Sequence, residues 1–175
     1  IQDSCSDDDT QNILFETKHP DLEIHVMKDN GQTHALNVGL KKLDCDIMGW
    51  LNSDDMLMPN TLYKVANFFI NNPGVDVIYS HRYIINERDE LVGKWVLPSH
   101  DNEILSWADF IPQETLFWRR EIWEKTGASL NEEFNFAMDW EYLTRLRDVG
   151  AVFVRLPIFL GCFRVHDLQK TSHLI

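Results

Sequence analysis

Cysteine is scarce in this sequence, and the few present do not cluster. Cys5, Cys45 and Cys162 are scattered and odd in number, which suits a reducing compartment and points to neither a disulfide framework nor a zinc site. Basic residues are also in short supply, with 16 Lys and Arg against 28 Asp and Glu and a formal net charge of -12. That balance argues against a nucleic-acid backbone or an anionic membrane surface as the main partner. An anionic ligand would need a metal ion or a focused basic patch to bind here. No apolar run approaches the length of a transmembrane helix, and no secretory leader is visible. Internal repeats, low-complexity tracts and linkers are missing too. His19, His25, His34, His81, His100 and His173 share no metal-ligand spacing and read as surface or packing residues. No Met opens the chain, and Ile1-Gln2-Asp3 looks like the end of a strand. Part of the domain is therefore expected upstream.

What is present is a core-forming composition. The 175 residues are 44% hydrophobic, with six Trp and ten Phe, enough for one globular domain with a sizeable core. The most informative stretch is Ile47-Met48-Gly49-Trp50-Leu51-Asn52-Ser53-Asp54-Asp55. It reads as a buried strand ending in two adjacent carboxylates, with Pro59 opening a helix soon after. Neighbouring negative charges repel and resist desolvation. The pair is either a solvated Asp/Ser turn or the seat of a divalent cation with phosphates riding on it, since Mg2+ and Mn2+ favour such oxygen ligands.

The rest of the chain alternates helix and strand in its first half. Asp7-Asp8-Asp9-Thr10 caps a helix to about Glu16; Leu22 to Met27 alternates like a half-buried strand, and Asp29-Asn30-Gly31 is a turn. Leu36, Gly39, Leu40 and Leu43 fall at helical spacing. Leu62, Val65, Ala66 and Phe69 mark one face of the helix that Asn72-Pro73-Gly74 stops. Val75 to Ser80 is a strand that Tyr83 to Ile85 extends or follows as a hairpin, and Asn86 to Glu90 is a turn before Leu91 to Leu97. Thr115 to Trp118 feeds a helix ending at Gly127, Asp139 to Val149 is amphipathic, and Val152 to Leu156 and Ile158 to Phe163 are two closing apolar runs. This order argues for a largely parallel α/β sheet, whose ligands gather at the carboxyl ends of the strands. Three candidate strands end in acids there, at Asp3, Asp29 and Asp54-Asp55.

Several of these segments together resemble the family 2 glycosyltransferases, which use the GT-A fold. Asp3-Ser4-Cys5-Ser6-Asp7-Asp8-Asp9-Thr10 is similar to that family's D-x-x-S-x-D-x-T segment. Asp29-Asn30-Gly31-Gln32 with Ala35, Asn37 and Gly39 is similar to its D-N-G helix entry. Leu51-Asn52-Ser53-Asp54-Asp55 with Pro59 is similar to its DxD region, with Asn52 where many members have the first Asp. Phe117-Trp118-Arg119-Arg120 with Gly127, Phe136-Ala137-Met138-Asp139-Trp140-Glu141, and Phe163-Arg164-Val165-His166 follow in the family's order. The resemblance implies an α/β, Rossmann-like nucleotide-diphospho-sugar transferase domain over 1-175. Its sheet would be mixed, mostly parallel and flanked by helices, and it would lack the family's first strand and helix.

The resemblance also implies roles. Asp55 would ligate Mn2+ or Mg2+, Asp54 would share the metal or contact the ribose, and His166 would bind the metal or the diphosphate. Asp3 would bond the donor's base and Asp29 would join the donor site. Arg164 would fork onto phosphate or pair with one of the many acids, with Lys170 a weaker candidate. Asp139 would be the general base, as a carboxylate set against Trp140 and Phe136; it is also an ordinary helix-capping acid, and Glu141 is a weaker substitute. Trp118 and Trp140 are either a stacking floor for an acceptor sugar or core residues. The implied activity is a metal-dependent, inverting hexosyltransferase of surface polysaccharide or glycoconjugate synthesis. It would take a nucleotide-diphosphate sugar, UDP by family frequency, and a saccharide or lipid-linked saccharide acceptor. It would act in the cytoplasm or peripherally at the inner face of the membrane. A nucleotidyltransferase of similar shape and a non-catalytic nucleotide-sugar-binding module are the competing readings.

Overall fold

Two-residue strands alternate with helices in the first part of the chain, and two long strands come later. The computed structural model describes residues 1–134, 136–167 and 169; Lys170 and His173 lie outside them. Strand β1 (Gln2–Asp3) pairs in parallel with β2 (His25–Val26), with α1 (Thr10–Glu16) between them in sequence. The acidic run enters α1 through a turn in which Asp8 Oδ1 accepts the Thr10 N–H at 3.0 Å, while Asp9 at the N-cap position makes no side-chain capping bond. Helix α2 (Gln32–Lys42) is entered through Gly31 at φ 110°, a left-handed conformation favouring glycine.

Strand β3 (Ile47–Met48) is shorter than its apolar run suggests. A Cβ on Gly49 would stand 2.9 Å from the Phe117 ring, so the chain passes too close to its neighbour there for any side chain. Strand β4 (Met56–Leu57) follows the acidic turn and leads into α3 (Thr61–Asn71). The buried face of α3 is Thr61, Val65 and Phe69, whereas Leu62 is 64% exposed. The expected face is rotated because Thr61 Oγ1 donates to the Leu160 carbonyl at 2.7 Å and pins the helix's first turn to the sheet.

Strand β5 (Val77–Ile85) runs unbroken into a hairpin with β6 (Leu91–Trp95), joined by the polar turn at Asn86 to Glu90. The Asn86 side-chain carbonyl accepts the Arg88 and Glu90 N–H groups at 2.9 and 3.0 Å. A four-residue helix α4 (Asn102–Leu105) was not legible in the sequence; Asp101 caps it. A 3-10 turn at Gln113–Thr115 precedes β7 (Phe117–Arg119), α5 (Arg120–Lys125) and α6 (Met138–Asp148). The two closing apolar runs form one strand, β8 (Phe153–Arg164). Pro157, which cannot donate to a ladder, sits in a bulge: Ser80 pairs with Leu156 but His81 with Phe159.

The sheet order is β3-β7-β5-β8-β4, with β6 on β5. The architecture is mixed α/β, as expected. Among the described residues, the parallel pairings are β5 with β8 and β1 with β2, and the other four are antiparallel. The early helix–strand alternation accounts for the parallel ones. The hairpin and the insertion of β7 between β3 and β5 supply most of the rest. Two cores flank this sheet. One joins Trp118, Ile122, Trp123, Tyr142, Leu143 and Leu146, with Trp118 set edge-on to Trp50 and Tyr142 at 5.4 and 5.2 Å. The other joins α3 to Ile78, Phe117, Leu156 and Leu160. Arg119 and Arg120 serve this framework. Arg119 donates to the carbonyls of Val75, Phe69 and Asn72, and Arg120 to that of Cys45.

Candidate functional site

The acids at the strand ends are held by their own turns. Asp3, buried at the end of β1, accepts from the Ser6 N–H at 3.1 Å and the Ser6 hydroxyl at 2.5 Å, and the loop between them takes Cys5 to φ 65°. Asp29 Oδ1 accepts the Gly31 N–H at 2.9 Å, while its Oδ2 is buried without a hydrogen-bond partner. Helix α2 then ties this turn to the loop at 130–134. Asn37 exchanges hydrogen bonds with the Leu130 backbone and donates to Glu132, and Thr33 donates to the Phe134 carbonyl. Asn37 is thus a structural clamp.

At the junction of β4 and β8 the structure brings Asp54, Asp55, Arg164 and His166 together. Asp55 is 7% exposed. Its Oδ1 accepts the Arg164 N–H at 3.0 Å and its Oδ2 the Asn52 amide at 3.3 Å. Burial pushes its carboxyl above the usual range, and the Asp54 charge adds to that, against the pull of these bonds. Asp54 Oδ2 lies 3.1 Å from His166 Nε2. The Arg164 guanidinium takes the ion-pairing alternative: it donates to the Asp54 and Asn86 carbonyls at 2.7 and 2.8 Å and pairs with Asp89 at 2.7 Å. Among the described residues, no group of three or more His, Cys, Asp or Glu stands ready-made for a metal. The donor set nevertheless fits a hard cation that is completed by ligand oxygens. It has a buried carboxylate in need of counter-charge, a half-exposed one beside it, and an imidazole.

Asn52 is a hub. It donates to Gln113 Oε1 at 3.0 Å and to Asp55, and accepts from Gln32 at 3.0 Å, while Gln113 donates to the Trp50 carbonyl at 2.7 Å. A carboxylate at this position could not donate to Gln113 and Asp55. The hub borders a cleft of about 340 Å³ whose lining includes both Asp55 and Asp139. Asp139 lies in the first turn of α6, entered through Ala137 at φ 56°, and its Oδ1 accepts the Trp140 N–H at 3.0 Å. Glu141 is engaged in a two-pronged pair with Arg145 at 2.7 and 3.0 Å. Trp118 is fully buried and Trp140 donates to the Leu105 carbonyl, so both belong to the framework. The cleft's aromatic walls instead include Trp50, Trp95, Phe110, Phe136 and Phe163.

Sequence reasoning missed Arg82, Asp109 and Glu114, which share this cleft. Glu114 is 2% exposed, 3.5 Å from Arg82, and burial pushes its carboxyl up to about 7 despite that cation. Asp109 is also pushed up to about 7, first by burial of its carboxyl and then by the Asp139 charge, with Arg82 opposing. As a whole residue Asp109 keeps more than a third of its surface in solvent, which screens part of that effect. The one local signal was the pair Gln113-Glu114 set between apolar Phe110-Ile111 and Leu116-Phe117.

The family model described as "Glycosyl transferase family 2" matches residues 1–127. Among curated proteins, the chain is 27% identical over 153 residues to a chondroitin synthase of Escherichia coli, covering 86% of this chain and 22% of that protein. It is 24% identical over 151 residues to the O-antigen biosynthesis protein RfbC of Myxococcus xanthus, covering 85% of this chain and 12% of that one. Among solved structures it superposes on S. aureus TarS 1-349 in complex with UDP-GlcNAc with a TM-score of 0.76 at 17% identity, over 99% of this chain and 51% of that one. It also superposes on the mannosyltransferase PcManGT from Pyrobaculum calidifontis, in complex with GDP-Man and Mn2+, with a TM-score of 0.63 at 22% identity, over 98% of this chain and 48% of that one. The chain thus spans less than a quarter of these curated relatives and about half of these solved chains. The structural likeness establishes the fold, GT-A.

Proposed function

The chain belongs to glycosyl transferase family 2, and from that premise we propose that it moves a sugar from a nucleotide-diphosphate donor to a hydroxyl acceptor with inversion. The observation that carries this reading is the shared cleft of Asp55 and Asp139, which sets a cation-seeking carboxylate and a candidate base around one space. Asp139 takes the proton of the acceptor hydroxyl, whose oxygen attacks the anomeric carbon as the bond to the diphosphate breaks and its electron pair leaves on phosphate oxygen. Asp55, Asp54 and His166 are the residues that would hold Mn2+ or Mg2+; a bound cation supplies neutralisation of the leaving diphosphate. Asp3 and Asp29 bind the nucleoside, and the orphaned Asp29 Oδ2 is suited to accept from a ribose hydroxyl or a base N–H. Arg164 is a positioning residue that holds the Asp54 turn. Relatives solved with UDP-GlcNAc and with GDP-Man and Mn2+ support the donor class, and the chondroitin and O-antigen relatives support a role in polysaccharide synthesis. No helix among the described residues is long and apolar enough to cross a membrane. We place the activity in the cytoplasm or at the inner face of a membrane, where an acceptor on a lipid carrier is within reach.

A thermal-shift screen of UDP-, GDP-, dTDP- and CDP-sugars tests the reading. One donor class should raise the melting temperature only with Mn2+ or Mg2+ present, and Asp55→Ala should remove the metal-dependent part of the shift. A screen in which no donor stabilises the protein, or an Asp55→Ala variant that responds like the parent, overturns it.

A further inference from the structure

The cleft carries charge of nearly one sign. Its described lining includes the carboxyls of Asp55, Asp109, Glu114 and Asp139, with Arg82 as the cation. Arg82 is already engaged, 3.5 Å from Glu114 and held between the rings of Trp95 and Phe163 at 4.5 Å each. Residues lining the cleft also leave polar atoms unpartnered: Glu114 Oε1, Arg82 Nε and Trp50 Nε1 are buried with no hydrogen-bond partner. An uncharged hydroxyl both donates and accepts, so a polyol can satisfy a carboxylate, a guanidinium and an indole together. A carboxylate or phosphate only accepts, and would meet Asp109, Asp139 and Glu114 as like charges. The walls of Trp50, Trp95, Phe136 and Phe163 offer apolar faces for the C–H surface of a sugar ring.

Resting on the glycosyltransferase reading, we propose that the cleft around Asp139 takes an uncharged, hydroxyl-rich saccharide as acceptor and rejects acceptors bearing a carboxylate or phosphate beside the reacting hydroxyl, with Asp109 as the residue that sets the rejection. This is specificity by repulsion, in which an unfavourable charge contact decides between ligands of the same shape. Asp109 is suited to it because its residue remains exposed in the cleft while the Asp139 charge from α6 and Arg82 from β5 both act on its carboxyl. Glu114 from the 3-10 turn and Asp55 line the same space. Because Asp109 and Glu114 are both pushed up to about 7, the cleft gains negative charge between pH 6 and pH 8, and rejection should sharpen over that interval.

Competition between cellobiose and its C6-oxidised uronate, followed by saturation-transfer NMR on the parent protein and on Asp109→Asn, tests this. The parent should prefer the neutral sugar by at least about tenfold at pH 8 and by clearly less at pH 6. Asp109→Asn should lose most of the preference at pH 8. Equal or tighter binding of the uronate overturns the proposal, as does a preference that ignores pH, or no binding of either sugar by a protein that responds in the donor screen. A protein that shows the preference but binds no nucleotide sugar instead overturns the transferase reading.

Discussion

The acidic turns and the cleft are built in opposite ways. Asp3, Asp29 and Asp54 stand on strands of two residues or in the turns beside them, and each is held by groups close to it in sequence or by the end of β8. Beyond Asp55, the charged groups of the cleft are Arg82 of β5, Asp109, Glu114 of the 3-10 turn and Asp139 of α6, spread over more than fifty residues, and β5 is held by the long pair β5–β8. The turns leave acceptor atoms open towards solvent or buried and unpaired, which is what a cation and a nucleoside require. In the cleft, burial raises the carboxyls of Asp55, Asp109 and Glu114 above their ordinary range. On the proposed reading, one region favours charge on its ligand and the other resists it.

The sharpest way to break this division is at Asp139. Replacing it with Asn should reduce transfer by at least about 100-fold while nucleotide-sugar binding, read by calorimetry, stays within about twofold. Equal loss of both would make Asp139 a structural part of α6 and merge the two regions. A smaller effect should appear in stability. Glu114 has an ordinary value of 4.5 and is pushed up to about 7 in the fold. The folded state thus holds its proton where the unfolded chain has released it. The stability this contributes is full below about pH 4 and is lost as pH rises through 7, a loss of roughly 2–3 kcal/mol. Glu114→Gln should flatten that slope in urea unfolding at pH 5 and pH 8; an unchanged slope would mean that the carboxyl is ionised and fully paired with Arg82. Smallest is Gly161→Ala. A Cβ there would stand 3.0 Å from both Glu114 Cγ and the Glu114 carbonyl, and should destabilise by about 1–2 kcal/mol. A neutral result would show that the 3-10 turn yields more easily than the cleft's crowding implies.

The same contrast explains what was legible. The Asp3, Asp29 and Asp54-Asp55 turns are local, so residue spacing exposed them, whereas Asp139 came from the resemblance of its segment to the family, its helix start alone reading as an ordinary capping acid. Arg82, Asp109 and Glu114 were not legible because their neighbours are set by tertiary packing. Nothing around Arg82 in sequence announces that it will lie between Trp95 and Phe163. The rotated face of α3 was hidden for a similar reason, since it is set by tertiary partners: the Thr61 bond to the Leu160 carbonyl and the packing of Val65 and Phe69 against the sheet. Trp118 was ambiguous between core and sugar floor until the ring cluster with Trp50 and Tyr142 placed it inside.

The bulge at Pro157 gives β8 two phases. Val77 pairs with Phe153 and Ser80 with Leu156, but Arg82 pairs with Gly161 and Ile85 with Arg164, so β8 advances three residues further than β5 across the irregularity. An odd advance exchanges the two faces of a strand. In the first phase, Leu156 stands level with Ser80 and belongs to the core against α3. In the second, the gap at Gly161 lies beneath Glu114, and Phe163 lies against Arg82. A register slip that took one residue out of the bulge would make the advance even and leave β8 a single phase, placing Leu160 and Cys162 where Gly161 and Phe163 now stand. The cleft would be filled without any of its carboxyls being changed.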